Sequence, residues 1–164
     1  MNKVLVVFFV FFSFIGAAQT GIDVQHYRFE VELSDASDAI TAKATVTVKF
    51  LANTSQLQLD LIGPDDEKGM RVFSVKENGM QQEVRQSNEV LSIVLRSPAV
   101  PNSVRTFEIE YIGIPKDGLI ISKNKFGDRT FFSDHWPNRA RNWLPVHDVP
   151  GDKASFEFII IAPA

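Results

Sequence analysis

Two of the three histidines, His135 and His147, each stand beside an aspartate, Asp134 and Asp148. Imidazole and carboxylate are ligand types that zinc accepts, so a metal site is the first chemistry to weigh. Their spacing matches no common metal motif, and His-Glu-x-x-His does not occur. The second chemistry is hydrolytic, because Ser133, Asp134 and His135 are consecutive. Neighbours in an extended segment point to opposite sides, however, and the chain has no Gly-x-Ser-x-Gly nucleophile turn. The third is binding through aromatic and cationic groups. Both tryptophans, Trp136 and Trp143, occur here with Arg139 and Arg141. If this part of the chain is extended, Arg139, Arg141 and Trp143 share one side, and an Arg over an indole contributes ~0.5–2 kcal/mol. Trp136, Pro137, Trp143 and Leu144 together would make an apolar patch of the kind that marks an interaction surface.

All of these residues belong to one stretch, 131–150. Pro137, Pro145 and Pro150 keep it out of a helix interior or a central strand, since proline lacks the N–H a ladder needs. It reads as an irregular surface segment that a scaffold must hold in place.

The scaffold reads as β. Tyr27, Phe29, Val31 and Leu33 alternate with Arg28, Glu30 and Glu32, which predicts a strand over 24–33 with one buried face. Residues 41–50 alternate alanine, valine and phenylalanine with threonine and lysine, and should form a long hairpin with the first strand. Further strands are predicted at 57–61, 70–76, 81–85, 90–95, 107–111, 118–122, 129–133 and 156–161. Asn78-Gly79 is a strong hairpin signal, because both residues tolerate positive φ. The 118–122 and 129–133 strands should pair with each other, and 156–161 is apolar on both faces. With no helical segment of useful length, the pattern predicts an all-β fold, an antiparallel β-sandwich or saddle-like open sheet. One such domain is expected over 19–164.

The chain has 164 residues, enough to bury a core, and a formal net charge of −3. No basic patch points to nucleic acid. Cysteine is absent, which excludes a disulfide framework and cysteine-based zinc sites. The first residues have their own pattern. Lys3 precedes an apolar run over 4–15, and Gly16, Ala17 and Ala18 supply small residues for cleavage. These are the three parts of a secretory signal peptide at 1–18, too short to span ~30 Å of hydrocarbon. Its removal takes away one lysine and no acid, changing the net charge from −3 to −4. The expected result is an exported protein, periplasmic or extracellular, with no membrane span.

The stretch from Arg141 to Phe156 resembles a segment of the aminopeptidase N-like zinc metallopeptidases, which include leukotriene hydrolase-like members. In that pattern an Arg is followed by Pro-Cys-x-Asp, x-Pro, then x-x-Lys-Ala and a strand. Arg141, Pro145, Asp148, Pro150, Lys153 and Ala154 stand where the pattern expects them. The opening hairpin at 24–50 is also similar. Two places depart from the family pattern. Val146 replaces the family's Cys, and Asp134-His135-Trp136-Pro137 replaces Gln-x-(Gln/Glu)-Ala. The Gly-x-Met-Glu-Asn motif is missing, and Gly79-Met80-Gln81-Gln82 reads as a turn.

The resemblance implies the N-terminal β domain of a zinc aminopeptidase, with an expected end before the thermolysin-like catalytic domain and before the β domain is complete. It places the zinc ligands and catalytic groups in that later domain, so this chain is expected to bind no cofactor and to be inactive alone. Its partners would be the parent's catalytic domain and a peptide substrate. Asp134, His135, Trp136 and Pro137 would lie at the substrate's amino end, with Trp136 as an apolar wall. Arg141, Trp143, Pro145 and Asp148 would serve structure or the interface. A stand-alone secreted β-sandwich that binds a sugar or a protein is the alternative the residues leave open.

Overall fold

A computed structural model describes residues 21–163 of the chain. The expected signal segment lies outside the described residues. Eleven strands run in chain order: β1 Ile22–Glu32, β2 Ile40–Phe50, β3 Thr54–Asp60, β4 Gly69–Glu77, β5 Met80–Gln81, β6 Glu83–Gln86, β7 Val90–Ala99, β8 Val104–Ile114, β9 Leu119–Lys123, β10 Arg129–Ser133 and β11 Ser155–Ile161. They form a six-stranded sheet ordered β11-β1-β2-β8-β4-β5, a three-stranded sheet ordered β3-β7-β6, and the separate β9–β10 hairpin. Among the described residues the only helical element is a 3₁₀ turn at Ala140–Asn142. The all-β expectation holds.

Period-two patterning explains the layers. In β2, Ile40, Ala42, Ala44, Val46, Val48 and Phe50 are all buried, whereas the threonines and lysines between them face outward. Leu57 and Leu59 of β3 and Leu91, Ile93 and Leu95 of β7 complete the core from the smaller sheet. Each such side chain contributes ~1.5–3 kcal/mol on burial. The outer face of the large sheet carries polar pairs instead, such as Lys43–Glu108 at 2.7 Å and the Thr47–Thr106 hydroxyls at 3.1 Å.

The predicted β1–β2 hairpin is present, running from Ile22↔Phe50 to Glu32↔Thr41. Asn78 and Gly79 adopt φ of +50° and +76° at the β4–β5 turn, as their chemistry requires. The predicted return strand at 81–85 is divided. β5 stays in the large sheet, the buried Gln82 crosses between layers, and β6 joins the small one. Gln82 can be buried because it is satisfied: its side-chain amide donates to the Met80 carbonyl (2.8 Å), and its oxygen accepts from the Arg96 N–H (3.3 Å). The second buried polar residue, Glu77, is forked by Arg105, whose guanidinium lies over the Phe50 and Phe107 rings, at 5.8 and 5.7 Å from their centroids.

β11 departs from the antiparallel expectation. It pairs parallel with β1, from His26↔Ser155 to Glu32↔Ile161. It is therefore paired on one side, and among the described residues its other side is the edge of the large sheet. Phe158 stacks on Phe29 at 5.2 Å, while Phe156, Ile160 and Ile161 remain exposed.

Candidate functional site

The segment at 134–150 is built around three clamps. The first fixes its start. The Asp134 N–H donates to the Gly118 carbonyl at 2.9 Å. Arg139 then ties the segment to the β8–β9 connection, with Nη2 and Nε donating to Asp117 (2.5 and 2.7 Å) and Nη1 to Asp134 Oδ2 (2.6 Å). This fork holds the Asp117 carboxyl below its ordinary pKa, chiefly through the hydrogen bond to Arg139. The other Asp134 oxygen accepts the Trp136 N–H at 3.2 Å, so both carboxylate oxygens are engaged inside the turn.

The second clamp is Arg141. It lies in the 3₁₀ turn, bonds Asp148 at 3.1 Å and approaches Asp60 at 3.6 Å. Its carbonyl also accepts the Ile62 N–H (2.8 Å). Asp60 and Val146 exchange main-chain hydrogen bonds at 2.7 and 3.1 Å, and the Asp148 N–H donates to Asp60 Oδ2 at 2.9 Å. The third clamp is Tyr27, whose hydroxyl accepts the His147 N–H at 2.8 Å. Burial raises the Tyr27 phenol above its ordinary pKa, so it stays protonated.

The extended arrangement expected for 139–143 does not form. The 3₁₀ turn sends Arg139 and Arg141 to different carboxylates and Trp143 inward, and the cation–π contact with an indole is replaced by these ion pairs. The expected surface patch is likewise divided. Trp143 and Leu144 are buried at 3% and 2% exposure, whereas Trp136 is 82% exposed. Trp143 belongs to the core, where it stacks with Phe158 at 6.0 Å.

A groove of about 350 Å³ remains between this segment and the edge formed by β1 and β11. His135, Trp136 and Pro137 line it on one side, and Tyr27, Phe156 and Phe158 on the other; Asp152 and Asp148 also contribute. Asp134 does not reach the lining, because Arg139 holds it back. His135 tilts against Trp143 at 5.6 Å. Burial lowers its pKa, with Asp134 and Asp148 opposing the shift. Burial also raises the Asp152 carboxyl, which accepts the Val24 N–H at 3.2 Å.

This is binding geometry. Ser133, Asp134 and His135 form no nucleophile–base relay, since Asp134 is committed to Arg139 and the Trp136 N–H. Among the described residues no three His, Cys, Asp or Glu side chains converge to hold a metal ion. Sequence reasoning did not find Asp60, Asp117, Tyr27 or Asp152. Each acts on the segment from more than twenty positions away or through a main-chain contact, and periodicity carries no sign of that. The pairing of Arg141 with Asp148, seven positions apart, was within reach of it.

A family model described as the peptidase M1 N-terminal domain matches residues 23–164. Comparison with curated proteins finds no match. Among solved structures, a two-domain M1 zinc metallopeptidase mutant bound to L-tryptophan is 27% identical, with a TM-score of 0.74 over 88% of this chain and 34% of that one. An M1 zinc metallopeptidase from Deinococcus radiodurans is 27% identical, with a TM-score of 0.73 over 89% of this chain and 33% of that one. Yeast LTA4 hydrolase in complex with bestatin shares the fold at 23% identity, with a TM-score of 0.72 over 87% of this chain and 23% of that one. The chain thus spans about a third of the length of the first two.

Proposed function

Because this chain belongs to the peptidase M1 N-terminal domain family, we propose that it is the non-catalytic N-terminal β domain of an exported zinc aminopeptidase. In that role it caps the catalytic domain and forms one wall of the cleft that receives peptide N-termini. The observation that carries the proposal is Trp136. A large indole is 82% exposed at the mouth of an apolar groove, on a turn fixed at both ends by Arg139. An aromatic side chain held out in this way is expected to meet another surface.

Two ligands named for the relatives, L-tryptophan and a Tyr-Ser-Ala substrate, support a cleft for N-terminal residues. His135, Trp136 and Pro137 would supply apolar contact to the first side chain. Asp134 would act by holding the turn through Arg139, with any contact to the substrate amine limited by that pairing. Zinc would belong to the catalytic domain, as the zinc metallopeptidase relatives suggest; among the described residues no cluster of side chains fits it. Export rests on the signal-peptide pattern at 1–18.

The test uses an enzyme that carries both domains. Trp136→Ala should change the ranking of kcat/KM across a panel of aminoacyl substrates and leave thermal stability nearly unchanged. If it unfolds the protein and leaves the ranking intact, the site assignment is wrong. For export, mass analysis of the secreted protein should find Gln19 as the first residue; retention of Met1 would exclude signal cleavage.

A further inference from the structure

Asn78 and Gly79 make the turn between β4 and β5, away from the residues that line the groove at Trp136. Both are exposed, and nothing lies within 4 Å of the position a Cβ on Gly79 would take. Among the described residues nothing accepts the Gly79 N–H, and nothing bonds the Asn78 side-chain amide. A primary amide followed by a free, unhindered main-chain nitrogen is a reactive pair. Asn places its amide carbon where that nitrogen can close a five-membered ring, an intramolecular step favoured by proximity. Glycine removes the side chain that would crowd the ring and stiffen the turn.

The other described asparagines lack this combination, and none of them precedes glycine. Asn102 shares the left-handed backbone, with φ of +66°, but the next N–H, of Ser103, donates to the Val100 carbonyl at 3.1 Å. The Asn124 side chain is held at both ends. Its oxygen accepts the Phe126 and Asp128 N–H groups at 2.8 and 3.0 Å, and its amide donates to the Asp128 carboxylate at 3.0 Å. The Asn142 amide donates to the Arg139 carbonyl at 3.0 Å.

We propose that Asn78 is a site of spontaneous covalent modification, converting to isoaspartate through a succinimide. The Gly79 nitrogen bonds Asn78 Cγ and the Cγ–Nδ2 bond breaks. The Gly79 proton leaves with the side-chain nitrogen as ammonia. Water then opens the ring. Addition at Cγ gives aspartate; addition at the Asn78 main-chain carbonyl carbon gives isoaspartate, whose backbone runs through Cβ and Cγ and is one atom longer. This site is independent of the aminopeptidase reading.

Its position gives the change a consequence. A two-residue hairpin turn matches the twist of its strands, and an added backbone atom spoils that match. β5 is held to β4 only through Lys76↔Gln81 and Glu77↔Met80. Gln82 follows at once, its main chain donating to the Val75 carbonyl at 2.8 Å as the chain passes to the small sheet. The new carboxylate also arises beside the buried Glu77, which Arg105 already holds. Modification therefore loosens the crossing between the two sheets.

The test incubates the chain at neutral and at mildly alkaline pH and digests it with trypsin, which releases 77–85 as one peptide. That peptide should gain the mass difference between an amide and an acid, and should become a substrate for isoaspartyl methyltransferase. Conversion at Asn78 should be at least about tenfold faster than at Asn102 in the same sample. It should also be faster at the higher pH, because the attacking nitrogen must lose its proton. Asn78→Gln, which would need a six-membered ring, should abolish the methylation signal. The aged chain should unfold at lower urea than the fresh one, with amide shifts confined to 75–83, whereas ageing should leave the midpoint of Asn78→Gln in place. Conversion at Asn78 no faster than at Asn102, aspartate as the sole product, or an unchanged urea midpoint after full conversion would overturn the proposal.

Discussion

Arg141 joins three parts of the chain: its own 3₁₀ turn, Asp148 seven residues on, and Asp60 at the end of β3. Truncating it leaves two half-buried carboxylates without their cation. Arg141→Ala should therefore lower unfolding free energy by about 1–3 kcal/mol, measured by urea denaturation. Arg141→Lys should recover only part of this, since a single ammonium cannot serve both carboxylates as a guanidinium does. His135 makes a different contribution. Its Nε2 is buried with no hydrogen-bond partner among the described residues, and burial lowers its pKa. The folded state thus favours the neutral ring. Above the ordinary histidine value of about 6.5 the ring is neutral in both states, and stability is unaffected by it. As pH falls below that value the unfolded chain takes up the proton first, and stability is lost. In thermal unfolding between pH 7.5 and 5, His135→Gln should lose less stability than the unmodified chain. An identical loss in both would remove His135 from this role. The imidazole was prominent in the sequence because its residue type suggested chemistry. Its burial against Trp143 was not legible there, because the contact depends on how the turn folds back.

The β9–β10 hairpin and the 134–150 segment meet at Gly118. It has a φ of +79°, and a Cβ there would lie 2.3 Å from the Arg139 carbonyl oxygen. Both features exclude a side chain, so Gly118→Ala should cost more than the usual ~1 kcal/mol of a point substitution and should loosen Trp136. Acrylamide quenching and thermal unfolding of the variant measure the two effects. β11 carries a separate liability. Its outer edge is unpaired among the described residues, and Phe156, Ile160 and Ile161 are exposed. Exposed apolar edges template association, so this chain alone should self-associate at high concentration, and Phe156→Lys should reduce that by light scattering without lowering Tm. A monomer at all concentrations would remove the edge as a cause. The strands were legible because alternation is a local property: Ala42 through Phe50 declare a buried face whatever lies opposite. The parallel pairing of β11 was not, since 156–161 is apolar on both faces and an apolar run states no direction. The division of β5 from β6 was hidden for another reason. Gln82 is polar, and its burial depends on two main-chain partners that no residue count reveals.

At the scale of the whole molecule, two sheets enclose one core, and the segment at 134–150 covers one side of it with Trp143 and Leu144. Its surface role and its core role are divided between the two tryptophans, which share a residue type and had equal standing in the sequence. Removing 155–163 should strip Phe158 from both Phe29 and Trp143, and the shortened chain should lose cooperative unfolding in urea. Cooperative unfolding at the original midpoint would show that β11 is an accessory strand. The parallel pairing of β1 with β11 also governs the order of events as the chain is made. His26 and Ser155 touch across 129 positions, so β1 waits for β11, the last of the described strands, before this side of it is paired. Such high contact order slows folding, because the loop entropy is lost before the pairing that offsets it forms. During synthesis at ~5–20 residues per second, β1 and its aromatic side chains remain without that partner for roughly 6–26 s. A chain that closes late stays threadable for longer, and under the export proposed above a channel for unfolded chains would have that interval in which to act.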